Sequence, residues 1–141
     1  MLLTRECDYG IRVIRALADG SKKTVDTIAT QEQIPKKYAY KIIKKLEKVG
    51  FVQSLRGRSG WYLLSKDLST LSLLDIIAAV DANRYINECI KDESQCPFKD
   101  HPSKSCTVHV EIERLQYLLE TELQSKPMSV ILNLPDQPIS E

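Results

Sequence analysis

The sequence predicts a mainly α-helical chain with one small β-hairpin and a long C-terminal helix. Three observations predict it. Apolar residues recur three and four positions apart from Ile11 to Leu46. Between Phe51 and Ser65 the period shortens to two, around a glycine-containing stretch. A second three-and-four stripe, Val108, Ile112, Leu115, Leu119 and Leu123, then runs through a segment studded with glutamate.

Each element follows from local chemistry. Thr4 is placed to cap a first helix whose apolar positions are Ile11, Ile14, Leu17 and Ala18, and Gly20-Ser21 ends it. Thr24 to Ala29 holds a short second helix. Gln33-Ile34-Pro35 makes a turn, with Pro35 suited to the first turn of the helix that follows. In that third helix, "PKKYAYKIIKKLEKVG", Ala39, Ile42, Ile43 and Leu46 form one buried stripe closed by Gly50. Its opposite face carries Lys37, Tyr40, Lys41, Lys44 and Lys48. "FVQSL" and "WYLLS" read as strands joined by the loop "RGRSG". A helix, a tight turn, a second helix and a basic hairpin together make the winged helix-turn-helix plan. Leu73, Leu74, Ile76, Ile77 and Val80 suit a further helix. The stretch "ECIKDESQCPFKDHPSKSCTVH" interrupts the pattern before the long helix, whose apolar stripe needs a partner, either its own domain or, equally economically, a second copy of the chain. The expected organisation is a winged helix-turn-helix domain over 1–80, a cysteine-bearing loop over 81–106, a long helix over 107–126 and an irregular tail over 127–141; the resemblance given below implies DNA binding for the first, sensing for the second and dimerisation for the third. Within the tail, "MSVILNL" could add an edge strand.

Composition narrows the function. Hydrophobic residues at 43% and charged residues at 28% are ordinary for a globular chain. No apolar run approaches the roughly 20 residues of a membrane span. The N-terminus turns charged at Arg5 with no extended apolar stretch before it, so a cytoplasmic location is expected. Net charge is +1, but it is unevenly spread: residues 1–66 hold 14 Lys and Arg against 6 Asp and Glu, and residues 67–141 hold 6 against 13. A basic first half points to a polyanion. Lys37, Tyr40 and Lys41, early on the outward face of the third helix, are the candidates to read bases. Lys44 and Lys48 would meet phosphates, and Arg56 and Arg58 on the hairpin loop suit phosphate or minor-groove contact. The competing reading is a solvated lysine face on a protein-interaction adaptor. No nucleophile–base pair or phosphate loop points to an enzyme.

In a reducing compartment, Cys7, Cys89, Cys96 and Cys106 are not read as a disulfide framework. Cys89, Cys96, Cys106 and His109 have the spacing C-x6-C-x9-C-x2-H, on a loop that Pro97 and Pro102 can fold back on itself. Thiolates are soft donors that suit an iron-sulfur cluster or zinc, and a fourth ligand of another type would leave a labile position. Metal-free thiols that respond by oxidation are the alternative. His101 is read as an exposed loop residue and Cys7 as a packed helix residue.

The motifs "LTRECDYGIRVIRALA", "TIATQEQIPKKYAYKIIKKLEKVGFVQSLRGRSGWYLL" and "LSLLDIIAAVD", with three cysteines before a long helix, resemble the Rrf-type winged-helix regulators, IscR-like and NsrR-like members included. The resemblance covers residues 2 to about 125. It implies a homodimeric transcription factor, usually a repressor, whose long helices pair on a roughly dyad-symmetric DNA operator. In many members an iron-sulfur cluster, [2Fe–2S] or [4Fe–4S], senses redox state, nitric oxide or cluster supply. Cys89, Cys96 and Cys106 fall where the family's cluster cysteines lie. The fourth ligand is a histidine shortly after the last cysteine in IscR-like members, matched by His109, or an aspartate from the partner's first helix in NsrR-like members, matched by Asp8. The chain departs from the pattern in its longer gap between Cys96 and Cys106, and in "GWY", where Trp61 replaces the second of two glycines.

Overall fold

The computed structural model describes residues 3–56, 60–91, 96–98 and 106–133. Arg58, His101, Pro102 and the tail from 134 lie outside the described residues. In chain order the elements are α1 (Arg5–Leu17), β1 (Lys23–Thr24), α2 (Val25–Glu32), α3 (Lys36–Lys48), β2 (Val52–Leu55), β3 (Trp61–Leu64), α4 (Leu73–Val80), α5 (Thr107–Gln124) and α6 (Met128–Ile131). A single 3₁₀ turn spans Glu88–Ile90. No described helix is long and apolar enough to cross a membrane.

Helix α1 is central. Thr4 caps it, accepting from the Cys7 amide at 3.4 Å. It is packed by α2, α3 and α4, so its buried set is wider than the single stripe expected: Cys7, Gly10, Val13, Ile14, Ala16 and Leu17 are inside, while Ile11 and Ala18 are only partly buried. Cys7 is a fully buried helix residue, as anticipated. Gly10 sets the closest approach. A Cβ there would stand 3.0 Å from Val80 Cγ1 and 3.2 Å from Ile76 Cγ2, so α4 crosses α1 so closely that even a methyl group would press its side chains aside by a few tenths of an ångström.

The turn from α2 to α3 forms as the sequence predicts. Gln33 takes the left-handed conformation with φ 53°, Ile34 plugs the core, and Pro35 precedes α3 as its N-cap residue, one position earlier than expected. Ala39, Ile42, Ile43 and Leu46 are completely buried, and Gly50, with φ 81°, turns the chain out of the helix.

The hairpin gains a strand. β2 and β3 pair antiparallel from Val52 opposite Leu64 to Leu55 opposite Trp61, and β1 adds to the other edge of β3, Thr24 facing Trp61. The two residues of β1 are too short for any periodic signal. Their pairing anchors the wing to the start of α2, where Thr24 is both strand residue and helix cap.

Ser72 and Asp75 start α4 with a reciprocal capping box. Beyond α5 the irregular tail expected from residue 127 begins instead with a helical turn, and among the described residues of the tail there is no edge strand. Met128 is fully buried, its amide donating to Leu71 O at 2.7 Å, and the Ser129 amide donates to Leu68 O at 3.1 Å. The reason is that Pro127 supplies a preset φ while Met128 fills space beside the start of α4.

On α5 itself only Gln116 is buried. Its carbonyl accepts from the Ile86 amide at 3.0 Å, and its amide donates to Arg84 O at 3.4 Å and Glu120 Oε1 at 2.9 Å. Of the expected apolar stripe, Ile112, Leu119 and Leu123 are half-buried, and Val108 and Leu115 are exposed along with Val110, Tyr117 and Leu118.

Two substitutions test this packing. Gly10→Val should overpack the α1–α4 crossing and lower stability by about 1–3 kcal/mol. Met128→Ala should cost about 2–5 kcal/mol, which a solvated tail would not show. Both are read as shifts in the urea midpoint, with unchanged slope, at fixed protein concentration.

Candidate nucleic-acid interface and sensor segment

With its apolar stripe sunk in the core, α3 presents Lys37, Tyr40, Lys41, Lys44 and Lys48 outward, and all five are exposed. Its N-terminus differs from those of α1, α2, α4 and α5. Each of those is capped by a side chain, whereas Pro35 offers α3 none. The first turn carries Lys36 and Lys37, which the helix dipole disfavours. Uncapped amides and lysines at the same helix end suit an external anion.

The lysines are not equivalent. Lys37 and Lys48 form no ion pair among the described residues. Lys36 reaches Asp26 on α2 at 2.7 Å. Lys44 pairs with Glu47 at 2.9 Å, which raises its pKa, and its ammonium lies 5.5 Å from the Tyr40 ring centre and 5.6 Å from that of Tyr62. It thus ties the outward face of α3 to the wing strand β3. Lys41 is held by Glu6 of α1, and this bond raises the lysine's pKa and lowers that of the carboxylate.

The wing contributes Arg56, exposed just after β2. Trp61 fits into the sheet, half-buried between Thr24 and Leu55, with Lys22 Nζ 5.1 Å from its ring centre. Lys22 was missed in the sequence because only the β1 pairing brings it to the wing. Behind this surface, Arg15 grips buried Glu32 with Nε at 3.2 and 3.1 Å from its two oxygens, fixing the end of α2 and hence the turn into α3.

The predicted sensor residues fall on three elements. Asp8, on α1, is half-exposed and pairs with Arg12 at 3.0 Å, while Arg12 also donates to Glu32 O at 3.1 Å. Cys89 sits in the 3₁₀ turn, its amide donating to Asn87 Oδ1 at 3.1 Å. Cys106 is the N-cap residue of α5, its sulfur accepting from the His109 amide at 3.4 Å, and His109 Nε2 is 3.2 Å from Glu113. Cys96 is partly buried, and none of the four cysteines is in a disulfide. The 3₁₀ turn packs on α5, so Cys89 and Cys106 are on adjoining elements. Among the described residues no group of three His, Cys, Asp or Glu is gathered at metal-binding distance.

The sequence pattern of the Rrf2 family, described as an iron-dependent transcriptional regulator, matches residues 3–133. An rrf2-like HTH-type transcriptional regulator of Rhodobacter capsulatus is 28% identical over 114 residues, 76% of this chain and 76% of the relative. The solved structure of the oxidized form of Staphylococcus aureus CymR is similar with a TM-score of 0.73 at 17% identity, covering 97% of this chain and 100% of that one. IscR of T. potens is similar with a TM-score of 0.71 at 16% identity, covering 100% and 93%. At such identities the solved structures show a shared winged-helix fold. The family match goes further: the chain belongs to the Rrf2 family of DNA-binding transcriptional regulators, and it is a regulator and not an enzyme.

Proposed function

We propose that the protein is a homodimeric repressor that binds a roughly dyad-symmetric operator through α3 and the wing, switched by an iron-sulfur cluster on Cys89, Cys96 and Cys106. The observation that carries the reading is the position of Cys106. It caps α5, the helix whose exposed Val108, Leu115 and Leu118 call for a partner, so a thiol input and a dimer face share one element.

Lys37, Tyr40 and Lys41 face base edges, Lys44 and Lys48 meet phosphates, and Arg56 and Arg58 follow the backbone or the minor groove. What supports the group is the chemistry of the donors: three thiols outside disulfides, two on adjoining elements, with His109 in the first turn of the helix that Cys106 caps. When bound, the cluster supplies chemistry sensitive to redox state and nitric oxide. His109 would complete it within the subunit, its contact with Glu113 orienting the ring, or Asp8 of the partner subunit would complete it between subunits. The 3₁₀ turn and α5 carry two of the thiols and α5 packs on α4, so a change in what holds the thiols together reaches α4 and the dimer face. A coupling of about 1–3 kcal/mol, roughly 5- to 150-fold in DNA affinity, would suffice.

A second reading keeps DNA binding and replaces the cluster with thiol oxidation. It rests on Cys89 and Cys106 lying on adjoining elements and on the likeness to a structure named as an oxidized form.

Protein purified without oxygen should show visible absorption with iron and acid-labile sulfide, and lose all three on Cys106→Ala. Colourless protein without labile sulfide after reconstitution would select the thiol reading. Asp8→Ala and His109→Ala, assayed separately, choose the fourth ligand. Lys48→Ala and Arg56→Ala should each flatten the dependence of log affinity on log salt by about 0.9, whereas an adaptor surface would leave it unchanged.

A further inference from the structure

Glu6 stands in the first turn of α1 and its two carboxylate oxygens are divided between two lysines of α3. Oε1 takes the ammonium of Lys41 and Oε2 that of Lys45. Lys45 has a second acceptor, the carbonyl of Val80, at 2.6 Å. Val80 is the last residue of α4, where carbonyls lack helical partners. The next residue, Asp81, accepts from Thr4 Oγ1 at 2.8 Å and opens the segment that leads to Cys89. One carboxylate therefore links an outward lysine of α3, an inward lysine of α3 and, through the latter, the point where α4 hands over to the cysteine-bearing segment.

Lys41 lies on the face with Lys37 and Lys44, but its charge is already met within the protein. A phosphate or base acceptor must displace Glu6 to use it. Exposed ion pairs are weak holds, and the Lys41 side chain is 53% exposed, so the displacement is within reach of a single DNA contact. The grip is also adjustable. While Lys45 is shared with Val80 O, Glu6 has charge left for Lys41. If the α4 end withdraws, Lys45 turns wholly to Glu6 and Lys41 is released.

We propose that Glu6 is an internal counter-ion that withholds Lys41 from DNA, and that Lys45, shared between Glu6 and the Val80 carbonyl, sets the strength of that hold from the position of the α4 end. The inference rests on the reading of α3 as the DNA-contacting helix. It assigns regulatory roles to two residues that the contact set does not include.

The test is a double-mutant cycle on the full chain, using a duplex enriched from a random-sequence pool by the wild-type protein and titrated at several salt concentrations. Glu6→Gln should tighten binding about 3- to 10-fold and steepen the salt slope by about 1, as one further lysine charge is freed to meet the polyanion. Lys41→Ala should weaken binding in both backgrounds, by less with Glu6 present than beside Glu6→Gln, where it also abolishes the gain. Lys45→Met should weaken binding with Glu6 present and have a smaller effect beside Glu6→Gln. Glu6→Ala gives the same readings should Glu6→Gln fold poorly by circular dichroism. An affinity and slope unmoved by Glu6→Gln overturn the proposal. So does a gain that survives Lys41→Ala, which would mark simple long-range repulsion between Glu6 and DNA. Wild-type protein that enriches no duplex would overturn the contact reading itself, an outcome separate from either.

Discussion

The closeness of α1 and α4 at Gly10 is the constraint on which the molecule turns. A helix packed by three others must offer each a surface, and α1 does so by burying most of its circumference. At the α4 crossing a side chain on Gly10 would press on Val80 and Ile76 more tightly than ordinary van der Waals contact. This approach brings Val80 and Asp81 beside the first turn of α1, where Thr4 and Glu6 are placed. The same helix, through Arg15 and Arg12, fixes the end of α2 and so the turn that launches α3. The base of α3 and the root of the cysteine-bearing segment are thus referenced to one element.

Much of this was legible in the sequence wherever one residue type has one physical job. The inward stripe of α3, the turn at Gln33 to Pro35, the glycine that closes α3 and the hairpin strands all appear as read. What was not legible depends on tertiary geometry. β1 is two residues long and exists only because β3 is beside it. The start of the tail is helical because Met128 finds a space in the core, which composition does not announce. Glu6 looks like an ordinary surface acid in a helix first turn, and only the α1–α3 packing sets it between two lysines. For the cysteine chemistry the sequence named candidate donors, and the structure adds the neighbours of Asp8, Cys89, Cys106 and His109, with nothing to add for Arg58 or His101.

The outward face of α3 follows an uncommon electrostatic arrangement. Local stability would favour an acidic residue or a side-chain cap at its N-terminus, and the sequence supplies proline followed by two lysines. The helix endures this because its four inward residues are wholly buried. Core packing supports a helix end that is poorly satisfied alone and well suited to a phosphate.

Gln116 adds a mechanical point about α5. Apolar faces can slide or roll over one another with little change in energy, but a buried amide with three hydrogen bonds fixes a single register. The amide acts as a pin through the helix. Rolling α5 to repack its exposed face would swing the pin and drag the backbone of Arg84 and Ile86, three residues before Cys89. Rotation about one helix axis is converted there into displacement of the turn that carries the thiol, and displacement of the turn into rotation.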